Sequence, residues 1–461
     1  MIALTAGEIS EIVQGELHGD SSILVTQPPI FDSRSATKGS LFLAMKGEST
    51  DGHNFAQDAI AHGSSLVLSS REVDAPCVIV PDVRKALGKL AHYVRKQMPE
   101  LIVIGITGSQ GKTTTKDLLG WILSMSAETV AAEGSFNNEL GVPLVLLRCT
   151  KTTRFCIVEM GARHKGDIAQ LCEIASPNIG VVLKVGSAHL GEFGSQEVIA
   201  QTKAELIASL SNEGTAILGL YDRFTPEMTK GRTIRTLTFG ESHDADIRAA
   251  DIDIREGRAH FDLVTPQGRA AVGLRLVGSH QIANALAAAC VATALEIPLD
   301  VIAVGLSTAE VASKWRMELH ELDGLLLIND TYNANPDSTS AALRTLAFFA
   351  QEQGGQSWAF LGKMHELGES SRQDHANLGT LAQSLGIDHL VAVGADEYGV
   401  DITPESSLRV HLCSNQAQAQ KFVDHIQEGD VLLFKGSRAE KMEELASSIE
   451  QLWNEKSGED E

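Results

Sequence analysis

The sequence predicts an α/β protein of three consecutive domains, on three observations. First, 461 residues exceed what one hydrophobic core serves, since domains run to about 100–200 residues. Second, short apolar runs bounded by glycine and proline alternate with helical patterns along most of the chain, as parallel crossover units do. Third, the apolar run at 101–106 enters a glycine-broken loop ending Gly111-Lys112-Thr113, and a helical pattern follows at 116–125. Strand, glycine loop and helix in that order form a phosphate cradle.

The elements can be justified in order. Residues 1–85 hold short apolar segments at 40–44 and 65–68, punctuated by Pro28, Pro29, Gly39, Gly47 and Gly52, which predicts a small α/β domain. A helical pattern at 83–96 leads past Pro99 into the loop strand. Within a central domain at 86–312, strands at 155–158, 179–185 and 215–220 and a helix at 197–210 predict a mostly parallel sheet of the P-loop ATPase type. Period-two alternation between 233 and 277, with a turn at Gln267-Gly268, predicts an antiparallel patch on that sheet. Residues 313–461 repeat strand then helix from 325–328, 358–361, 390–393 and 431–434, a Rossmann-like open sheet. The polar tail at 456–461 is expected to be disordered.

Composition narrows the function. An apolar content of 43% and a charged content of 21% describe an ordinary globular chain. A formal charge of -22 argues against a broad phosphate-neutralising face, so no nucleic-acid partner is expected. No apolar run reaches the ~18 residues of a membrane span and no basic leader opens the chain, so a cytoplasmic protein is expected. Six scattered cysteines without Cys-x-x-Cys spacing read as buried, reduced thiols.

The chemistry starts at the loop, Thr107-Gly108-Ser109-Gln110-Gly111-Lys112-Thr113-Thr114. Its glycines let backbone N–H groups turn toward an anion, Lys112 reaches outer phosphates and the Thr113 hydroxyl suits Mg2+. Glycines at 105, 108 and 111 depart from the strict phosphate-loop consensus. Glu159, ending the strand at 155–158, is placed to hold Mg2+ near Thr113. His189 follows the next strand on the same rim, but imidazole is an unusual Mg2+ ligand, leaving a structural or substrate-facing role open. Lys203 lies on a helix, where a lysine normally faces solvent.

The loop, Glu159-Met-Gly-Ala, His189-Leu-Gly-Glu-Phe-Gly and Lys203-Ala-Glu205 occur in the order and spacing of the Mur ligase family, which the chain resembles over nearly its whole length. The resemblance implies an ATP-dependent amide ligase acting in peptidoglycan synthesis, with a UDP-sugar domain at 1–85, an ATP-binding catalytic domain at 86–312 and an amine-substrate domain at 313–461. It implies sugar-nucleotide contacts from Ser33, Arg34, Phe42, Lys46, Gly47, Asp51, His53, Asn137 and Asn138. Nucleotide contacts are implied for His280, Asn284, Arg316 and Asp330. Two Mg2+ ions would be held by Thr113, Glu159, His189 and a carbamate formed on Lys203 from CO2.

In the third domain, the stretch from Asn329 to Ser338, the Leu361-Gly-Lys-Met-His-Glu366-Leu-Gly run and Lys435-Gly-Ser-Arg438 resemble the branch that adds D-alanyl-D-alanine to a UDP-MurNAc-tripeptide. Tyr332, Asn333, Asn335, Lys435, Ser437 and Arg438 would face the amine substrate. Working as a monomer is expected, with domain closure around the ligands. Three positions depart from the family pattern: Lys363 replaces Asp, Gln281 replaces Asn, and Gly219-Leu-Tyr-Asp222 replaces Asn-x-Asp-Asp. Another amide ligase of the superfamily and a regulatory phosphate-loop switch are the competing readings.

Overall fold

The structure is a computed structural model and describes residues 1–47, 50–132, 134–186, 190–310, 313–400, 402 and 406–458. At the N-terminus, β1 (Leu4–Thr5) pairs with β3 (Leu24–Val25). Strands β2 (Glu16–His18), β4 (Leu41–Ala44), β5 (Leu66–Ser69) and β6 (Cys77–Ile79) form a sheet in the order β2-β6-β5-β4, with only β2 antiparallel. Every residue of β4 and β5 is buried, as strands covered on both faces require.

The helix Val83–Lys96 starts where the Asp82 carboxylate accepts from the Arg84 and Lys85 backbone N–H groups, and Arg95 and Lys96 occupy its last turn. Its buried stripe, Leu87, Leu90, Ala91 and Val94, joins Leu41 and Leu66 on one side to Val103 and Val158 on the other. One apolar core therefore couples the first sheet to the second, and this helix spans residue 85.

The central sheet holds β7 (Ile102–Thr107), β8 (Thr129–Ala131), β9 (Phe155–Glu159), β10 (Ile179–Val182), β11 (Thr215–Gly219), β12 (Arg235–Gly240), β13 (Ile247–Arg255), β14 (Arg258–Thr265) and β15 (Gly268–Val277). Their order is β15-β14-β13-β12-β11-β10-β7-β9-β8, parallel from β8 to β13 and antiparallel from β13 to β15; within the stretch 233–277 the antiparallel patch is β13 to β15, while β12 extends the parallel part. Ile106 is in register with Glu159 and Thr107 with Val182, so the ends of β7, β9 and β10 form one rim. Strand β7 sits between β9 and β10, and its connections diverge, opening a crevice at that rim.

Strand β10 ends at Val182 rather than Val185. The chain leaves the sheet there to brace the loop after β7: Ser109 N donates to the Lys184 carbonyl at 3.0 Å and Gly186 N to Ser109 Oγ at 2.8 Å.

The third sheet comprises β16 (Glu318–Leu322), β17 (Leu325–Asn329), β18 (Ser357–Gly362), β19 (His389–Val393), β20 (Arg409–Cys413) and β21 (Val431–Lys435), in the order β16-β17-β21-β18-β19-β20 with only β16 antiparallel. Edge strands β16 and β20 were not foreseen because Glu-Leu-His-Glu-Leu and Arg-Val-His-Leu-Cys lack an apolar run. The last helix, Met442–Gly458, continues through Lys456, correcting the expectation of disorder from that residue. Trp453 packs into the core, and the Lys456 ammonium lies 5.5 Å over its ring. All six cysteines are buried and free. Among the described residues no helix is long and apolar enough to cross a membrane.

Candidate active site

A cavity of ≈ 1860 Å³ opens at the rim of the central sheet, walled by the loops after β7, β9 and β10, the helix Val83–Lys96 and segments of the third domain. The loop after β7 forms its floor. Gly111 has φ +82 as the residue before the helix Lys112–Ser124, and a Cβ there would stand 2.1 Å from Asn284 Oδ1. Only glycine satisfies both constraints without strain. Lys112 folds back to donate to the Gly108 carbonyl at 2.8 Å. Burial lowers its pKa, Glu159 opposes that shift and Arg316 adds to it. Thr107 is used by the scaffold, its hydroxyl donating to the Met160 carbonyl at 2.9 Å.

Three elements meet on the Thr113 hydroxyl. It donates to Glu159 Oε2 at 2.8 Å, accepts from an Arg316 Nη at 2.9 Å and lies 2.9 Å from Ser135 Oγ. Glu159 is buried, and its other oxygen accepts from Asn137 Nδ2 at 2.9 Å. Arg316 comes from 203 residues along the chain and lies 4.0 Å over the Tyr332 ring. Its neighbours Trp315 and Met317 both have positive φ, +63 and +53. Strain of that kind costs about 1–3 kcal/mol per residue and persists only where surrounding bonds impose it. Here Trp315 N donates to Glu318 and Met317 N to Asp330.

Asp330 is paired with Lys435, which also donates to the Asn333 carbonyl at 2.9 Å. Ser437 Oγ accepts from His365 N at 2.9 Å, and the Arg438 guanidinium lies 4.4 Å over Trp315. Asn335 caps the helix Pro336–Gln353 by accepting from Ser338 N, so its side chain is committed to the fold.

Lys203 does not face solvent. It is 7% exposed on the helix Gln196–Ala208 and lines the cavity; burial, and then Lys112, lower its pKa to about 7. His189, expected beside it, lies outside the described residues. His280 also lines the cavity, and burial lowers its pKa to about 4, so the ring is neutral. Asn284 Nδ2 donates to Gln281 Oε1 at 2.8 Å, so the glutamine braces the residue that touches Gly111. Asn138 lines the same cavity, and its side-chain oxygen accepts from Gly141 N at the start of a short helix.

Ser33, Arg34, Phe42, Lys46, Gly47, Asp51 and His53 do not line this cavity. They gather at the first sheet, where Asp32 holds Arg34, the backbones of Lys46 and Asp51 form an isolated antiparallel bridge, and His53 bonds Asp51 and Ser70. The Phe42 ring is buried in an apolar cluster of that sheet. Arg34, Lys46 and Gly47 are the exposed members, Arg34 with 86% of its side chain accessible.

The cavity is furnished for a polar ligand. Among the described residues seven buried side-chain polar atoms lack a partner, and four of them, His92 Nδ1, Gln110 Oε1, Tyr221 OH and Arg316 Nε, belong to residues lining it. Sequence reasoning did not single out Tyr221 for a role, nor the bridge of 3.3 Å between Arg163 and Glu366 that joins the central and third domains. The signal for Tyr221 was its place in a run that departs from the family pattern. A surface-like arginine carried no signal for its partner.

Comparison with known proteins extends over the whole chain. A profile of the Mur ligase middle domain matches residues 106–292, one of the Mur ligase glutamate ligase domain matches 315–438, and one of the Mur ligase family catalytic domain matches 31–98. The UDP-N-acetylmuramoyl-tripeptide--D-alanyl-D-alanine ligase of Escherichia coli (strain K12) is 35% identical, covering 98% of this chain and 99% of its own. That of Mycobacterium tuberculosis (strain ATCC 25618 / H37Rv) is 38% identical over 97% and 98%. A crystal structure of MurF from Acinetobacter baumannii superposes with a TM-score of 0.88 at 37% identity over 97% and 99%. The MurF ligase of Thermotoga maritima, solved in complex with ADP, gives 0.80 at 30% identity over 94% and 99%.

Proposed function

The chain belongs to the Mur ligase family, and from that premise we propose that it joins D-alanyl-D-alanine to UDP-N-acetylmuramoyl-tripeptide, with ATP cleaved to ADP and phosphate. The full-length relatives that add D-alanyl-D-alanine carry the reading beyond the family, and the site supports it: a phosphate loop, a buried carboxylate and an arginine from the third domain converge on the Thr113 hydroxyl. Such a site can act only when two domains are together, as a reaction joining two substrates on a third requires.

A carboxylate is a poor acyl donor at neutral pH. Its oxygen therefore attacks the γ-phosphorus of ATP, the bond to the β-phosphate oxygen breaks, and an acyl phosphate forms as ADP departs. The dipeptide's neutral amine then attacks the acyl carbon; phosphate leaves and the amine proton passes to solvent. Like charge opposes the first step, since an anion must approach the triphosphate. Lys112, the Arg316 guanidinium and the backbone N–H groups of residues 110–113 offset that repulsion.

Mg2+ fits the donor set present. Thr113 and Glu159 offer only oxygen, at a buried carboxylate oriented by Asn137. When bound there, Mg2+ would supply further neutralisation of phosphate charge. Among the described residues no three His, Cys, Asp or Glu side chains converge on a metal, so phosphate and water oxygens would complete the shell.

The reading includes a carbamate on Lys203. What supports it is the buried amine with its pKa near 7. In the neutral form its nitrogen adds to CO2, forming an N–C bond and releasing a proton, and the product is an oxygen-donor anion suited to a second Mg2+ together with His189. A Lys203→Ala enzyme with full activity and no response to added short carboxylic acids would remove this element. The N-terminal residues 32–53 would take the UDP-sugar, and Tyr332, Lys435 and Arg438 the dipeptide. The site is built within one chain, which supports a monomer, and dependence on ATP supports a cytoplasmic setting.

The test is release of phosphate from ATP with each candidate tripeptide nucleotide, diaminopimelate or lysine at the third position. Full release should require D-Ala-D-Ala and match the amide formed. Phosphate release indifferent to the dipeptide would refute the proposal and favour another amide ligase or a nucleotide switch.

A further inference from the structure

The cavity extends past the phosphate loop to the Tyr221 hydroxyl. Leu183 connects the two ends. Its Cδ1 would lie 3.4 Å from a Cβ at Gly111, and its carbonyl oxygen 2.1 Å from a Cβ at Gly219. Gly219 ends β11, and two residues on, Tyr221 lines the cavity beside Phe239, Gln281 and Asn284. Among the described residues no partner stands at hydrogen-bond distance from the buried Tyr221 hydroxyl, and its oxygen would be left about 1–3 kcal/mol short once a bound base excluded water. Burial and the Glu241 carboxylate raise its pKa, so the phenol keeps its proton at neutral pH.

The neighbouring side chains are already engaged. Asp222 accepts from Val185 N, Phe224 N, Thr225 N and Thr225 Oγ1, all at 2.7–2.8 Å, tying β11 to the loop after β10. Gln281 and Asn284 bond each other, and Gly219 has no side chain to offer. Of the residues replacing the family's Asn-x-Asp-Asp run, Tyr221 presents a polar atom able to accept in the cavity, and the buried Phe239 beside it supplies an apolar wall.

We propose that the Tyr221 hydroxyl accepts a hydrogen bond from the exocyclic amino group of adenine and thereby sets the preference of this chain for ATP over triphosphates of other purines. This rests on the reading that ATP occupies the cleft. With its proton drawn toward the Glu241 carboxylate, the phenol oxygen is left to accept, and an amine at that edge of the base satisfies it where a hydrogen does not. A site that hydrogen-bonds a group discriminates against an analogue lacking it, because its own polar atom is then left unpaired.

The experiment measures Kd by titration calorimetry for ADP, inosine diphosphate and purine riboside diphosphate, the last lacking the amine. Wild type should bind ADP about five- to tenfold more tightly than purine riboside diphosphate. In Tyr221→Phe that ratio should fall to within about twofold, through weaker ADP binding, with the thermal midpoint unchanged. Equal binding of ADP and purine riboside diphosphate by wild type overturns the proposal without any variant. So does a Tyr221→Phe protein that keeps the wild-type ratio. Failure of wild type to bind any of the three would instead count against the nucleotide reading itself, which separates the two claims.

Discussion

Replacing Gly111 with alanine tests whether the phosphate loop is built as described. The backbone at φ +82 costs an L-residue about 1–2 kcal/mol. The new methyl would also stand 2.1 Å from Asn284 Oδ1, so Asn284 must swing away and give up its 2.8 Å bond to Gln281. Breaking a buried bond of this kind costs about 1–3 kcal/mol. Together the substitution carries about 2–5 kcal/mol, and it must appear in one of two places. If the loop keeps its shape, the folded state bears the strain and the thermal midpoint falls. If the loop relaxes, stability is kept, but nucleotide binding must restore the strained form and ADP affinity falls by at least about thirtyfold. Thermal melts and ADP titration of Gly111→Ala, with and without Asn284→Ala, separate these contributions. The double variant should recover the clash and leave the backbone part. A Gly111→Ala protein with unchanged stability and ADP affinity within twofold of wild type would refute the reasoning.

Further outcomes follow at Arg316, Lys203 and Lys435. Arg316→Ala removes both bonds to the Thr113–Ser135 pair and should lower kcat by about 10²–10³ while KM for the sugar nucleotide stays within about threefold; steady-state kinetics checks this, and Arg316→Lys should recover only part because it cannot reproduce the planar fork. Lys203, lowered from 10.5 to about 7, is protonated below that pH and cannot add CO2, so the rate should fall on the acid side of about 7. Since the unfolded chain holds that proton up to 10.5, this residue's contribution makes stability rise with pH from about 7 to 10.5, which melts across that window would show. Lys435→Met strands the largely buried Asp330 and should cost about 3–5 kcal/mol, with most of it restored in Asp330→Asn/Lys435→Met.

Much of this was legible because it is local. The loop at 107–114, its strand and its helix follow one another in sequence, and Glu159 ends an uninterrupted buried strand. The antiparallel patch was legible from alternation over β13 to β15. What local pattern could not carry depends on long-range placement: the family resemblance alone marked Lys203 and Arg316, and the Arg163–Glu366 bridge was not foreseen. Lys203 resembles any helical lysine until tertiary packing buries it, and no local pattern announces that Arg316 reaches Thr113 or that Arg163 meets Glu366. The first-domain residues gather as a group, yet whether a side chain such as Phe42 faces a ligand or the core depends on which face of β4 is covered.

The central claim is that the tripeptide's carboxylate takes the γ-phosphate before the amine arrives. It is tested most directly by labelling that carboxylate with oxygen-18 and recovering the phosphate after turnover with ATP and D-Ala-D-Ala. The account predicts one labelled oxygen in each phosphate released, with the other retained in the new amide. Phosphate free of label would contradict it.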